Sequence, residues 1–323
     1  MKKCKVLLAA LSIILACLSV CSCAAKDHFS RENSFVYLKQ DSDGRYQIYY
    51  WDAVEKKKEL LGQDSLESAV SADKTKVFFG QNMNEESVNS PYYNEMDLYF
   101  ADVGAKIETN LVEKRVIDFA ITPDGKYVLY VTHDEKLVLL NMETEEKEYL
   151  VSNESDMFMA YHLAENGSVI WGLTSLDGEE YDIKADVYVK APGEKEILVA
   201  ENSKEDIYFS EDHSVISGKR IDGTVYLYEN GKGTSEQDSL KTEIVDDSGK
   251  KITLINCETE HSEEKEISED GEVIYFMDKN DSLYYNMDGK EIKIDDDVMC
   301  FNYSPMSGVL GRGFYYDYYD VEW

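Results

Sequence analysis

Apolar residues along this chain come in short runs closed by turn signals, not in helical stripes. One frame recurs: Ser or Thr, any residue, an acid or Asn, a turn residue, then an apolar run. It is clearest at 122–130, TPDGKYVLY, preceded by Phe119-Ala120-Ile121. It returns as SEDGEVIYF at 268–276, SADKTKVFF at 71–79, AENGSVIW at 164–171, FSEDHSVI at 209–216, FSRENSFVY at 29–37 and, degraded, SPMSGVL at 304–310. The first positions fall at 30, 71, 122, 164, 210, 268 and 304, a mean spacing of about 46 residues. An Asp that bonds its own backbone and a Gly that accepts positive φ reverse the chain tightly. The run after the turn is almost continuously apolar, as a strand covered on both faces is.

Two further beats follow each frame. The second is a short, often Tyr-rich strand: QIYYW at 47–51, DLYFA at 97–101, KLVLL at 136–140, DVYVK at 186–190, VYLYE at 225–229 and SLYYN at 282–286. The third opens on Lys-Glu and alternates: KELL at 58–61, KEYLV at 147–151, KEILVA at 195–200 and KEIKI at 290–294, with TEIV at 242–245 a weaker copy. Polarity rises from beat to beat, so each period predicts about four strands graded from inner to outer, the pattern of a propeller blade. Residues 52–70 are read as turn plus outer strand, because KELL occupies the third-beat place. The deepest positions predicted are Val77, Val128, Leu129, Val215, Val273 and Ile274.

Phe-x-x-Thr-Pro-Asp-Gly-Lys-Tyr-Val-Leu-Tyr at 119–130 resembles the repeat of TolB-type, WD-repeat-like β-propellers, and the likeness extends over roughly residues 29–323. The resemblance implies an all-β propeller of six to seven four-stranded blades, a scaffold that binds proteins or glycans; it does not imply catalysis. Only 19 residues follow Ser304, so the seventh blade is expected to be incomplete. Either the chain is a fragment, or six blades close with the last strands as a clasp. The Phe29–Tyr37 strand is expected beside residues near Phe301–Trp323.

The start of the chain carries an address. Three lysines among residues 1–5 precede an apolar run over 6–20, and small residues follow, the build of a secretory signal peptide. The run is short for a spanning helix, which needs about 20 residues. Val20-Cys21-Ser22-Cys23 resembles the lipobox of bacterial lipoproteins, with Cys23 as the acylated residue and Cys21 as its competitor. The expected organisation is a signal peptide over 1–22, a lipidated tether over 23–28 and a propeller over 29–323, held on the extracytoplasmic face of the cell membrane. Two acyl chains would anchor where one does not. Only Cys257 and Cys300 lie beyond Cys23, too few for a disulfide framework; one bridge or two free thiols are the alternatives.

Charge narrows the partners. The chain has 65 acidic and 33 basic residues among 323, a formal net charge of −32. Loss of the three lysines in 1–22 makes it about −35. Such a surface does not neutralise phosphates, which excludes nucleic acid and electrostatic docking on anionic lipid.

The candidate chemistry is sparse. The five His, at 28, 133, 162, 213 and 261, fall in different repeats without metal-ligand spacing. His213 reads as a solvated turn residue. There is no GxSxG elbow, Walker loop or GxGxxG. Asp41-Ser42-Asp43-Gly44 is half of an oxygen-ligand loop and reads as a hairpin turn; Asp295-Asp296-Asp297 reads as a solvated loop. The 24 Tyr fall mainly in second beats, where β-propensity and partial burial account for them. Tyr315, Tyr316, Tyr318 and Tyr319 form the densest cluster. The expectation is a non-enzymatic binding module for a protein or cell-wall ligand, without cofactor. A carbohydrate-active or peptidase-associated domain and a sensor module of a membrane regulator are the alternatives.

Overall fold

Each turn-bounded apolar run forms a strand. In chain order they are β1 (Phe35–Gln40), β2 (Tyr46–Asp52), β3 (Lys57–Gln63), β4 (Ser68–Val70), β5 (Lys76–Gln81), β6 (Met96–Asp102), β7 (Glu108–Ile121) and β8 (Tyr127–Thr132). Next come β9 (Leu137–Asn141), β10 (Lys147–Val151), β11 (Asp156–Leu163), β12 (Val169–Ser175), β13 (Ala185–Lys190), β14 (Ile197–Phe209), β15 (Val215–Arg220), β16 (Val225–Glu229) and β17 (Gly233–Gln237). The last are β18 (Glu243–Val245), β19 (Lys251–Thr253), β20 (Ile255–Asn256), β21 (Lys265–Ile267), β22 (Val273–Met277), β23 (Leu283–Met287), β24 (Lys290–Asp295) and β25 (Val298–Asn302). Among the described residues the one helical element is a single 3-10 turn, Arg31–Asn33. The chain is all-β.

The computed structural model describes residues 31–64, 67–82, 95–103, 107–152, 156–175, 185–246, 248–256, 265–267, 273–278, 280–287 and 289–302. The signal segment, Cys21, Cys23, the tether, Cys257, the frame at 304–310 and Tyr315 to Tyr319 lie outside the described residues.

Pairing is antiparallel throughout and sorts the strands into four-stranded meanders: β4 to β7, β7 to β10, β11 to β14, β14 to β17, β21 to β24, and β25-β1-β2-β3. Two long strands serve two meanders each. The first part of β7 pairs with β6 and its last part with β8; β14 is divided in the same way between β13 and β15. Burial follows the sequence gradient. The second strands β5 and β8 are buried at their four central positions, while the outer strands β17 and β24 are mostly exposed. Val77, Val128, Leu129 and Val215 are buried as predicted; Val273 and Ile274 lie in β22, with side chains outside those described.

The turn-plus-strand reading of residues 52–70 holds, with β3 starting at Lys57. TEIV is a correction. The outer strand of its meander is β17, and Glu243–Val245 instead forms a small hairpin with Lys251–Thr253. That hairpin packs Ile244 and Ile252 with Val215, Leu227 and Leu254. The chain then lays β20 along the free edge of β14, Phe209 opposite Ile255.

Within β25, Val298 to Asn302 pair with Lys39 to Val36, so Phe301 lies opposite Tyr37. The expected neighbourhood of the first strand and the 301 region is therefore present. A junction motif shows what β25 stands for. Arg115, at φ 54°, accepts at its carbonyl from His133 N (2.8 Å), and Asn202, at φ 52°, accepts from Ile221 N (2.9 Å). Both residues link an outer strand to the inner strand of the next meander. Asp297, at φ 56° between β24 and β25, accepts from Gln40 N (3.4 Å) in the same way. β25 is thus the inner strand of the meander whose other three strands open the chain.

Candidate functional site

The frame turns are built locally. In the clearest, Thr122 Oγ1 donates to Asp124 Oδ1 (2.6 Å), Lys126 N donates to the same oxygen (2.9 Å), and Tyr127 N donates to Thr122 Oγ1 (3.0 Å). Gly125 N closes the turn on Thr122 O (2.8 Å). Ser71-Asp73 and Ser210-Asp212 repeat the set, at 2.7 Å each for the hydroxyl-to-carboxylate bond. Burial pushes the carboxyls of Asp73 and Asp212 up, but the Ser, Thr and backbone donors outweigh it and hold both below the usual range.

In an antiparallel meander alternate turns fall at the same end, and these frame turns touch one another in series. Ala72 N donates to Pro123 O (2.6 Å), Lys76 Nζ reaches Gly125 O (3.4 Å), and Asn166 Nδ2 donates to Asp212 O (3.2 Å). A Cβ on Gly167 would meet the Tyr127 ring at 2.6 Å and Pro192 Cγ at 2.9 Å, so the turn at 164–168 lies flush on the preceding meander. The result is a continuous track of interlocked turns, the candidate binding face.

One place on this track departs from the sequence reading. His213, expected in solvent, is 2 % exposed and lies 2.8 Å (Nε2) from Nδ1 of His162, also 2 % exposed. The two are 51 residues apart, and no short spacing signals the pair. The only sequence sign is that His213 stands where Gly125 and Gly167 stand in their frames.

A second cluster joins the ends of the described chain. Asp295, expected in a solvated loop, is 7 % exposed. It accepts from Tyr37 Oη (2.9 Å) and Lys39 Nζ (2.9 Å), and Lys58 Nζ lies 2.7 Å away. Burial pushes its carboxyl up, and the Lys58 and Lys39 donors outweigh that and hold it low. Burial, with Asp295 alongside, pushes the Tyr37 phenol far up. Asp296 and Asp297 remain exposed. Asp41 is a hairpin turn as read: it accepts from Asp43 N (2.9 Å) and Arg45 N (3.0 Å), which occupies the carboxylate that a cation would need. Among the described residues no three His, Cys, Asp or Glu are grouped to hold a metal. Several second-beat tyrosines, Tyr50, Tyr226, Tyr228 and Tyr285, are buried and serve packing.

No family model matches the chain, and no curated protein matches it. Solved structures do. The β-propeller domain of the Trilobed protease from Pyrococcus furiosus is similar at 16 % identity and a TM-score of 0.44, over 82 % of this chain and 94 % of that one. Dihydro-heme d1 dehydrogenase NirN is similar at 13 % identity and 0.47, over 87 % and 77 %. TolB from Acinetobacter baumannii is similar at 15 % identity and 0.33, over 82 % and 81 %. At TM-scores below 0.5 the architecture rests on the strand pairing above.

Proposed function

We propose that the chain is a lipid-anchored extracytoplasmic β-propeller of six blades that works as a non-enzymatic binding module for a protein or cell-wall ligand. The observation that carries the reading is the track of frame turns. Each turn is closed by its own side chains and bonded to a neighbour, which gives a rigid, pre-shaped face with little ordering cost on binding. The repeated junction at Arg115, Asn202 and Asp297 supports six blades closed by β25. The lipobox at 20–23 supports acylation of Cys23 and residence at the membrane surface.

Two measurements test this. Cys21→Ala with Cys23→Ala is expected to move the protein from the membrane fraction to the medium; unchanged partition sinks the anchor. Crosslinking in native membranes followed by mass spectrometry is expected to place a partner on the 72–76, 123–126 and 164–168 turns. Charge reversal at Lys76 and Lys126 should weaken capture severalfold. Turnover of polysaccharide or peptide by the purified chain, lost on substitution of a single residue, would favour the enzymatic alternative.

A further inference from the structure

The His162–His213 contact ties together two meanders, since His162 is in β11 and His213 is in the frame turn between β14 and β15. Phe209 closes over both rings, with centroid distances of 4.7 and 5.2 Å. Between Nδ1 of His162 and Nε2 of His213 there is one hydrogen bond, so one ring donates and the other accepts. The outer nitrogens, His162 Nε2 and His213 Nδ1, are buried and have no protein partner. His213 also holds φ 58°, a conformation that two other frames give to Gly. A β-carbon there crowds the following carbonyl, so the backbone alone does not favour this residue. The charged groups around the pair are few. Asp212 is beside His213 and already accepts from Ser210 and Ser214. Glu165 and Glu211 stand exposed on the two turns.

We propose that His162 and His213 form a proton-sensitive latch between two neighbouring meanders, closed while both rings are neutral and opened by acid. The first added proton takes the outer lone pair of the donor ring. The bridging bond survives that step, but it leaves an imidazolium out of water with no carboxylate bonded to it. The second proton takes the nitrogen that accepted the bridge. No lone pair then remains between the rings, the bond is lost, and two cations face each other with centroids 5.0 Å apart. Opening relieves both costs by admitting water.

The direction follows from burial, which lowers His162 from 6.5 to about 4 and His213 well below 6.5. The unfolded or opened form binds protons more readily, so the latch's full contribution is present above pH 6.5. It is lost progressively as the pH falls from 6.5 toward 4. The turn carboxylates Asp73 and Asp212 are held below the usual carboxylate range by their Ser, Thr and backbone donors, so they titrate on the acid side of that window.

Hydrogen exchange on the full chain tests the proposal. After correction for intrinsic rates, protection of residues 158–163 and 209–216 should fall on the order of a thousandfold between pH 6.5 and 4.5, since both rings take up a proton on opening, while residues 122–132 keep theirs. His213→Gly, which puts there the residue that Gly125 and Gly167 supply in their frames, should abolish this extra pH dependence. An unchanged pH dependence in His213→Gly overturns the latch. Imidazole carbon resonances of the unsubstituted chain provide a second test that needs no variant. Rings that protonate near 6.5 while protection at 209–216 is constant overturn the latch; rings that remain neutral to below 5 while protection already declines from 6.5 support it.

Discussion

The turns at 122–127 and 210–215 have the same hydrogen bonds and different reasons to exist. Hydroxyl to carboxylate is 2.6 Å in one and 2.7 Å in the other; the closing backbone bond is 2.8 and 2.9 Å; the left-handed residue has φ 62° and 58°. In the first that residue is Gly125, and a handful of neighbouring residues suffice to specify the turn. In the second it is His213, and the conformation is kept by an imidazole buried against Phe209 and His162. Local chemistry dictates the shape of both turns. The second also holds its residue by packing, a contribution the first does not have.

The largest effect that can break this comparison is at Phe209, which covers both rings. Phe209→Ala should cost about 3–5 kcal/mol in urea unfolding. Gly125→Ala should cost only about 1–2 kcal/mol, because the new Cβ meets the flexible Lys76 side chain at 2.9 Å. If the Gly125 change were the costlier, the packing account of the 210 turn would be wrong.

Next in size is an exchange of the distinguishing residue. His213→Gly relieves the backbone but empties a buried site, for a net loss of about 1–2 kcal/mol at pH 7. Since burial depresses the His213 pKa, the unsubstituted chain weakens as pH falls below 6.5, and the gap between the two proteins should close by about pH 4.5. Paired urea titrations at the two pH values read this directly; a gap that widens in acid would contradict the sign of the linkage.

The smallest effect sharpens the likeness instead. Thr122→Ala and Ser210→Ala each remove the hydroxyl that links the Asp to the next strand, and each should cost about 0.5–1.5 kcal/mol. Thr122→Ala should be the costlier of the two, because it also deletes a buried γ-methyl, whereas Ser210 Oγ has the Ser214 hydroxyl 3.3 Å away as one further partner. A Ser210→Ala cost clearly above that of Thr122→Ala in thermal unfolding would contradict the likeness of the two turns.

Much of the fold was legible because its signals are short-range. The six second beats and four of the five third beats became strands where read, and the Tyr-rich beats are buried as β-propensity and partial burial suggest. TEIV misled because a Lys-Glu-like alternation also suits a free-standing hairpin, and Glu243–Val245 forms one. Asp295 misled because three consecutive acids look solvated, whereas Lys39, Lys58 and Tyr37 converge on the first of them from far along the chain. The histidine pair left no spacing to find.

The sequence by itself determined the strands, their turns and the period, since hydrogen bonds that close within about five residues and the alternation of burial need no distant partner. The period also put the first strand beside the 301 region; tertiary structure decided that β25 takes the inner place of that meander, that β20 covers the edge of β14, and that His213 goes inward to meet His162. The first of those choices joins residues about 260 positions apart. All three depend on where the accumulated twist of every intervening meander brings the chain, a sum over many strands that no local pattern contains.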